Sequence, residues 1–123
     1  MKYLLMMQIN KDVLDALSEQ EQKAIGEGHQ KFMDEIRASG EFIQTNALGD
    51  PSQGALVRRE GGSTEVITDG PFVESKELLG GFYLVDVESK ERAIELAKAI
   101  PDTQIEGLAV EVRPVIFSDG LPI

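Results

Sequence analysis

The chain contains a single histidine, His29, and no cysteine. Disulfides, thiolate metal sites and cysteine nucleophiles are therefore excluded, and His29 is the side chain best suited to proton transfer near neutral pH. At about 100° per residue, His29, Phe32 and Ile36 fall within about 60° of one another on a helix. His29 thus lies on the apolar side of that helix. It is either a core residue with a hydrogen-bond partner or a site residue at the edge of a pocket.

Residues 68–83, which read TDGPFVESKELLGGFY, form the second group that could do chemistry. Asp69 precedes Gly70, an arrangement typical of a carboxylate that caps a turn, although the same carboxylate could serve a site. Pro71 fixes the backbone of this segment. Phe72 is either a packing residue or a platform for a ligand.

Two consecutive glycines, Gly80 and Gly81, close this segment and lead into a strand-like run, Phe82 to Val87. Glycines at such a place permit the close approach of a ligand or of another backbone, and they are equally typical of a β-bulge. The sequence is consistent with both interpretations of Gly81.

The segments around these residues predict strands and helices in alternation. Lys2 to Ile9 is apolar on both faces, which indicates a central strand. A capping box at Ser18 and Glu21 begins a long helix that ends at Gly40. In a second helix, capped by Ser89, the predicted inner face consists of Ala93, Ile94, Ala97 and Ile100. Further strands are predicted at 41–48, 55–59, 64–68, 82–87 and 109–115. Those at 55–59 and 64–68 form a hairpin across Gly61-Gly62.

This order predicts one domain, residues 1–123, of the α+β class. Its architecture is ferredoxin-like, βαββαβ with an extra hairpin, and both helices lie on one face of an antiparallel sheet. Leu4 and Met6 make the other face of the sheet partly apolar, so we expect something to cover that face.

The runs Asp-Gly-Pro-Phe, Glu-x-Lys-Glu and Gly-Gly-Phe-Tyr resemble the YCII-related family, in particular its DGPF-type members. The resemblance implies a dimeric α+β barrel, in which two sheets pack face to face, and therefore a homodimer. It also implies that His29 and Asp69 are the pair proposed for activity. Gly70, Pro71, Phe72 and Gly81 are the accompanying candidates for binding.

Two functions are consistent with these residues. The first is a small cofactor-independent enzyme, of lyase or isomerase type, in which His29 and Asp69 transfer protons to or from a small molecule. A family member that removes chloride from a hydroxylated quinone is similar in kind. The second is a non-catalytic regulatory or ligand-binding module, because DGPF-type proteins are associated with sigma-factor systems. One histidine without cysteine predicts no metal site, and no cofactor motif occurs.

Composition limits the partners. The chain has 22 acidic and 12 basic residues, a net charge of −10 that repels nucleic-acid phosphates. The apolar run Tyr3 to Met7 is far shorter than the ~20 residues that span a bilayer. Polar residues interrupt this run too early for a signal peptide, so we expect a cytoplasmic protein.

Overall fold

The computed structural model describes residues 1–67 and 78–120 of the chain. Six strands and three α-helices form within these residues, together with two short 3₁₀ turns, Pro51–Gln53 and Pro101–Gln104. The strands are β1 (Lys2–Ile9), β2 (Phe42–Ala47), β3 (Leu56–Glu60), β4 (Ser63–Ile67), β5 (Leu78–Asp86) and β6 (Ala109–Pro114), and the helices are α1 (Lys11–Asp15), α2 (Glu19–Ala38) and α3 (Lys90–Lys98).

Four strands form one antiparallel sheet in the order β2-β5-β1-β6, with β1 paired to both β5 and β6. This order confirms the predicted ferredoxin-like α+β fold and the central place of β1. Strands β3 and β4 form a separate two-stranded sheet. The turn between them is made by Gly61 and Gly62 at φ of 60° and 84°, the backbone region that a primed hairpin turn requires.

Helix α2 begins at the predicted capping box. The Ser18 hydroxyl accepts from the Glu21 N–H at 3.1 Å, and the Glu21 carboxylate accepts from the Ser18 N–H at 3.0 Å. Two N–H groups that a helix start would leave unpaired are thereby satisfied. The inner face of α2 buries Phe32 and Ile36 against the sheet, and His29 lies on the same face.

The inner face of α3 differs in one residue from the prediction. Ala93, Ala97 and Ile100 are buried, but Ile94 is 37% exposed and Leu96 is buried instead. The prediction for Ile94 was therefore wrong. Leu96 follows Ala93 by three positions and therefore shares its face of the helix, whereas Ile94 is the next residue after Ala93 and is turned away by about 100°.

An ion pair holds α3 against the start of β2. Arg92 donates from Nε and Nη2 to the two carboxylate oxygens of Glu41, each at 2.8 Å. This bidentate contact lowers the pKa of Glu41. It fixes the helix whose C-terminal end leads into the turn Pro101–Gln104.

The two faces of β1 have different surroundings. Tyr3, Leu5 and Met7 point toward α2 and α3 and are buried. Leu4 and Met6 point the other way and are only partly buried. Their cross-strand partners on β5 are Leu84 and Phe82, which are also partly buried. We call these four side chains the open sheet face.

Candidate functional site

The His29 imidazole lies between two polar groups from distant parts of the chain. Its Nε2 is 2.8 Å from Oδ1 of Asp102, and its Nδ1 is 2.7 Å from the hydroxyl of Tyr83. The His29 side chain is 21% exposed, and that of Asp102 is 8% exposed. Three elements therefore meet at one imidazole: α2, β5 and the turn after α3.

Asp102 reaches His29 because the turn Pro101–Gln104 lies close to α2. Ile100, fully buried, precedes the turn, and Thr103 fastens it through hydroxyl bonds to the carbonyl oxygens of Ile100 and Lys98. The ring of Pro101 faces Gly28, where a Cβ atom would come within 3.0 Å of the proline side chain. A glycine at position 28 thus lets the turn approach α2.

Tyr83 comes from the inner face of β5, where Leu5 and Thr45 are its cross-strand partners. Its ring packs edge-on against Phe32 at a centroid distance of 4.9 Å and lies nearly parallel to the His29 ring at 5.9 Å. The side chain is 2% exposed, so the position of its hydroxyl is fixed by packing. Burial and the nearby Asp102 charge raise the pKa of Tyr83 to about 12.

These contacts determine the tautomer of the imidazole. An ionised carboxylate can only accept, so Nε2 carries the hydrogen that is donated to Asp102. In the neutral ring Nδ1 then has a lone pair, which accepts the hydroxyl hydrogen of Tyr83. A carboxylate at one nitrogen favours proton uptake at the other, because it stabilises the imidazolium.

This polar cluster forms one wall of a cavity of about 310 Å³. The remaining lining is mostly apolar and comes from the ends of β1, β2 and β5 and from α2. A cavity with apolar walls and a few convergent polar groups is the usual form of a small-molecule site. Besides His29, Tyr83 and Asp102, the lining residues are Met7, Ile9, Met33, Thr45, Asn46, Ala47 and Gly80.

The sequence comparisons agree with the fold. A model of the YCII-related domain matches residues 1–117. The chain belongs to the YCII-related family. It is also 32% identical over 79 residues to an uncharacterized protein of Rhizobium meliloti (strain 1021), a match that covers 60% of this chain and 64% of that relative. The chain thus spans less than two thirds of the relative's length.

Of the site residues predicted from the family resemblance, His29 is at the cavity wall. Asp69, Gly70, Pro71 and Phe72 fall outside the described residues, and the pairing of His29 with Asp69 stays a prediction. Both ring nitrogens of His29 already have partners, so Asp69 would have to displace one of them to bind the imidazole directly.

Gly81 is buried in β5 of this YCII-related protein, opposite Met7 and Ala47. A Cβ there would lie 2.6 Å from the carbonyl oxygen of Asn46, so close strand packing accounts for a glycine at this position. Its neighbour Gly80, at the bulge in the β1–β5 pairing, lines the cavity. A binding role for Gly81 remains a prediction.

Sequence reasoning missed both partners of His29. Tyr83 gave a weak signal, because a tyrosine on the buried face of a strand needs a partner for its hydroxyl. Asp102 gave none, because an aspartate after a proline at the end of a helix is typical of a turn. It meets His29 across 73 residues of chain, a contact that no local pattern encodes.

Other kinds of site find no support in the described part of the chain. Histidine, aspartate and glutamate side chains do not gather there in groups of three that could hold a metal ion. Among residues 1–67 and 78–120, every helix is too short or too polar to cross a bilayer.

The contact between Gly28 and Pro101 predicts the effect of two matched substitutions in α2. Gly28→Ala should push Pro101 away and lengthen the bond between His29 and Asp102. Gly26→Ala meets nothing within 4 Å and should stabilise the protein by up to about 1 kcal/mol through helix propensity. We expect the Gly28 variant to be about 1–3 kcal/mol less stable than the Gly26 variant in urea unfolding. Equal stabilities would contradict the close contact.

The buried hydroxyl predicts an alkaline titration that can be followed by absorbance. In a Tyr3→Phe background, the phenol of Tyr83 should ionise near pH 12 rather than 10. The folded state favours the neutral phenol, so stability should fall as the pH rises from 10 toward 12. Adding Asp102→Asn should lower this pKa, because it removes the repelling charge while burial, the larger cause, remains. A midpoint near 10 in the Tyr3→Phe protein would show that the hydroxyl is not buried.

Proposed function

We propose that this YCII-related protein is a small enzyme that uses His29 and Asp102 for proton transfer or elimination on a small molecule, without a cofactor. The observation that carries the proposal is the 2.8 Å contact between His29 Nε2 and Asp102, located at the wall of an apolar cavity. A buried carboxylate behind an imidazole is the arrangement that general acid–base catalysis uses.

The role of each group follows from its hydrogen bonds. Asp102 holds the hydrogen on Nε2 and stabilises the imidazolium that forms when the ring takes up a second proton. That proton arrives at Nδ1, on the side of Tyr83. The molecule that loses the proton becomes an enolate or phenolate type anion, or it expels a leaving group from the neighbouring carbon. The reaction type is thus that of an isomerase or a lyase.

The cavity supports a compact and largely apolar substrate. Its volume of about 310 Å³ accommodates one ring with small substituents, and its aliphatic and thioether side chains contact a ring without charge. The polar cluster lies on one side, so a substrate would direct its acidic hydrogen toward His29 and Tyr83. An apolar site also strengthens the attraction between the imidazolium and Asp102.

Proton abstraction can be measured before the natural substrate is known. Deuterium uptake from D₂O into small enolisable ring ketones, cyclohexanone included, should be accelerated by the wild-type protein and followed by NMR. Asp102→Asn should reduce the acceleration by about 10²-fold or more, because the imidazolium loses its carboxylate. His29→Gln should abolish it.

Asp69→Asn is the matched control, since it makes the same chemical change at the carboxylate predicted from the family resemblance. We expect it to retain more activity than Asp102→Asn. Loss of exchange in the Asp69 variant alone would contradict the role of Asp102. A wild-type protein that accelerates exchange on no ketone of the panel would contradict the proposed enzyme.

We also propose that two copies of the chain pack through the open sheet face to form a homodimer. Leu4, Met6, Phe82 and Leu84 stay partly exposed on this face, while α2 and α3 cover the opposite one. Cross-strand pairing sets these side chains side by side, so they form one continuous apolar patch. Burial of such a patch favours association of two identical surfaces.

Sedimentation tests the dimer. The wild-type protein should sediment with twice the mass of the chain, and Met6→Glu should dissociate it because a charge would be buried between the sheets. Ile94→Glu, an equal change at an exposed position of α3, should leave the dimer intact. A monomeric wild-type protein, or dissociation by both variants alike, would contradict this interface.

A further inference from the structure

The hydrogen bonds of His29 leave neither ring nitrogen open to the cavity. Nε2 is held by Asp102, and Nδ1 is covered by the Tyr83 hydroxyl at 2.7 Å. Yet the general acid–base chemistry proposed above needs an atom that contacts the bound molecule. Tyr83 keeps hydrogen-bonding capacity, because its hydroxyl has one hydrogen and two lone pairs, and it is the member of the polar cluster that is bonded to Nδ1, the nitrogen that takes up the proton. The hydrogen is directed to His29, so a lone pair remains for a ligand.

The geometry points to Tyr83 as the residue that exchanges a proton with the bound molecule. His29 then receives a proton from Tyr83, and Asp102 stabilises the imidazolium that forms. This inference rests on the proposed function. It assigns the contact with the bound molecule to the hydroxyl oxygen of Tyr83, because both nitrogens of His29 already have partners. Tyr83 is then the catalytic residue that touches substrate, and Asp102 acts through His29.

The proton transfer balances over two bonds. The acidic hydrogen of the ligand moves to the Tyr83 oxygen, and the original phenolic hydrogen of Tyr83 moves to His29 Nδ1. The ligand keeps the electron pair and becomes an anion, Tyr83 ends as a neutral phenol, and His29 becomes an imidazolium paired with Asp102. No oxidant, reductant or second reactant is required, and the reverse transfer returns the proton to the product.

Two further observations favour this path over one in which Tyr83 is already ionised before the ligand binds. The pKa of Tyr83 is raised to about 12, so the phenol stays protonated at neutral pH and works only while it passes a proton to His29. The ring is also held in place, because Phe32 packs against it edge-on at 4.9 Å and the side chain is 2% exposed. A fixed ring keeps the hydroxyl aligned with Nδ1, as a transfer through two bonds needs.

A chromophoric phenol, 4-nitrophenol, tests the path without a known substrate. It is a single ring, and its absorption shows whether it is bound as phenol or as phenolate. At a pH where the free compound is mostly protonated, the wild-type protein should convert it to phenolate on binding. Tyr83→Phe should lower the ratio of phenolate to phenol in the bound compound about tenfold or more, a loss equal to one pKa unit or greater. His29→Gln should lower it as well.

Tyr3→Phe is the matched control, because it removes a phenolic hydroxyl from the buried core away from the cavity. It should ionise the compound as the wild-type protein does, and circular dichroism should show that all variants are folded. A Tyr83→Phe protein that ionises the compound normally while His29→Gln does not would overturn the role of Tyr83 and leave the proposed function standing. If both variants ionise the compound normally, or the wild-type protein leaves it protonated, the role of Tyr83 and the role of His29 as proton acceptor are both contradicted.

Discussion

The hydrogen bonds of one imidazole connect the separate parts of this fold. His29 accepts from a strand residue, Tyr83, and donates to a turn residue, Asp102, which lie 54 and 73 positions away in the chain. Because Asp102 and Tyr83 are both nearly buried, each needs this partner. Loss of the imidazole would leave a buried carboxylate without its donor, which is costly in free energy. The cluster is therefore both a structural connection and the polar wall of the cavity.

The surrounding elements position this imidazole. Helix α2 presents His29 because Phe32 and Ile36, on the same face, are buried against the sheet. The turn after α3 can reach it because position 28 has no side chain to exclude Pro101. The apolar interior that stabilises the fold also surrounds the contact between imidazole and carboxylate, and low exposure to solvent strengthens that contact. Stability and the proposed chemistry depend here on the same contacts.

The sequence predicted the architecture well, because the fold depends on local signals. The capping box at Ser18, the Gly61-Gly62 turn and the apolar faces of β1 each act over a few residues, and the structure confirms them. The site was harder to predict. His29 was recognised by its helical position, but its partners were not, since long-range contacts leave no periodic pattern. Ile94 was wrongly placed because it is the next residue after Ala93 and is turned about 100° away from the buried face of α3.

The family resemblance and the structure emphasise different carboxylates. The segment that carries the resemblance contains Asp69, and its residues 68–77 lie outside the described structure. The described residues instead provide Asp102 as the partner of His29. The alternative of a regulatory module stays a prediction. A pocket whose polar groups converge on one histidine is equally a place for a ligand, but the hydrogen-bonded carboxylate favours proton transfer.

The central claim is that Asp102 and Tyr83 hold the two nitrogens of His29 in defined roles. Long-range ¹H–¹⁵N correlation NMR tests it directly, and the single histidine makes the spectrum unambiguous. The account predicts that in the neutral ring Nε2 carries the hydrogen and Nδ1 does not, and that Asp102→Asn weakens this preference. A hydrogen on Nδ1, or a mixture of both tautomers in the wild-type protein, would contradict it.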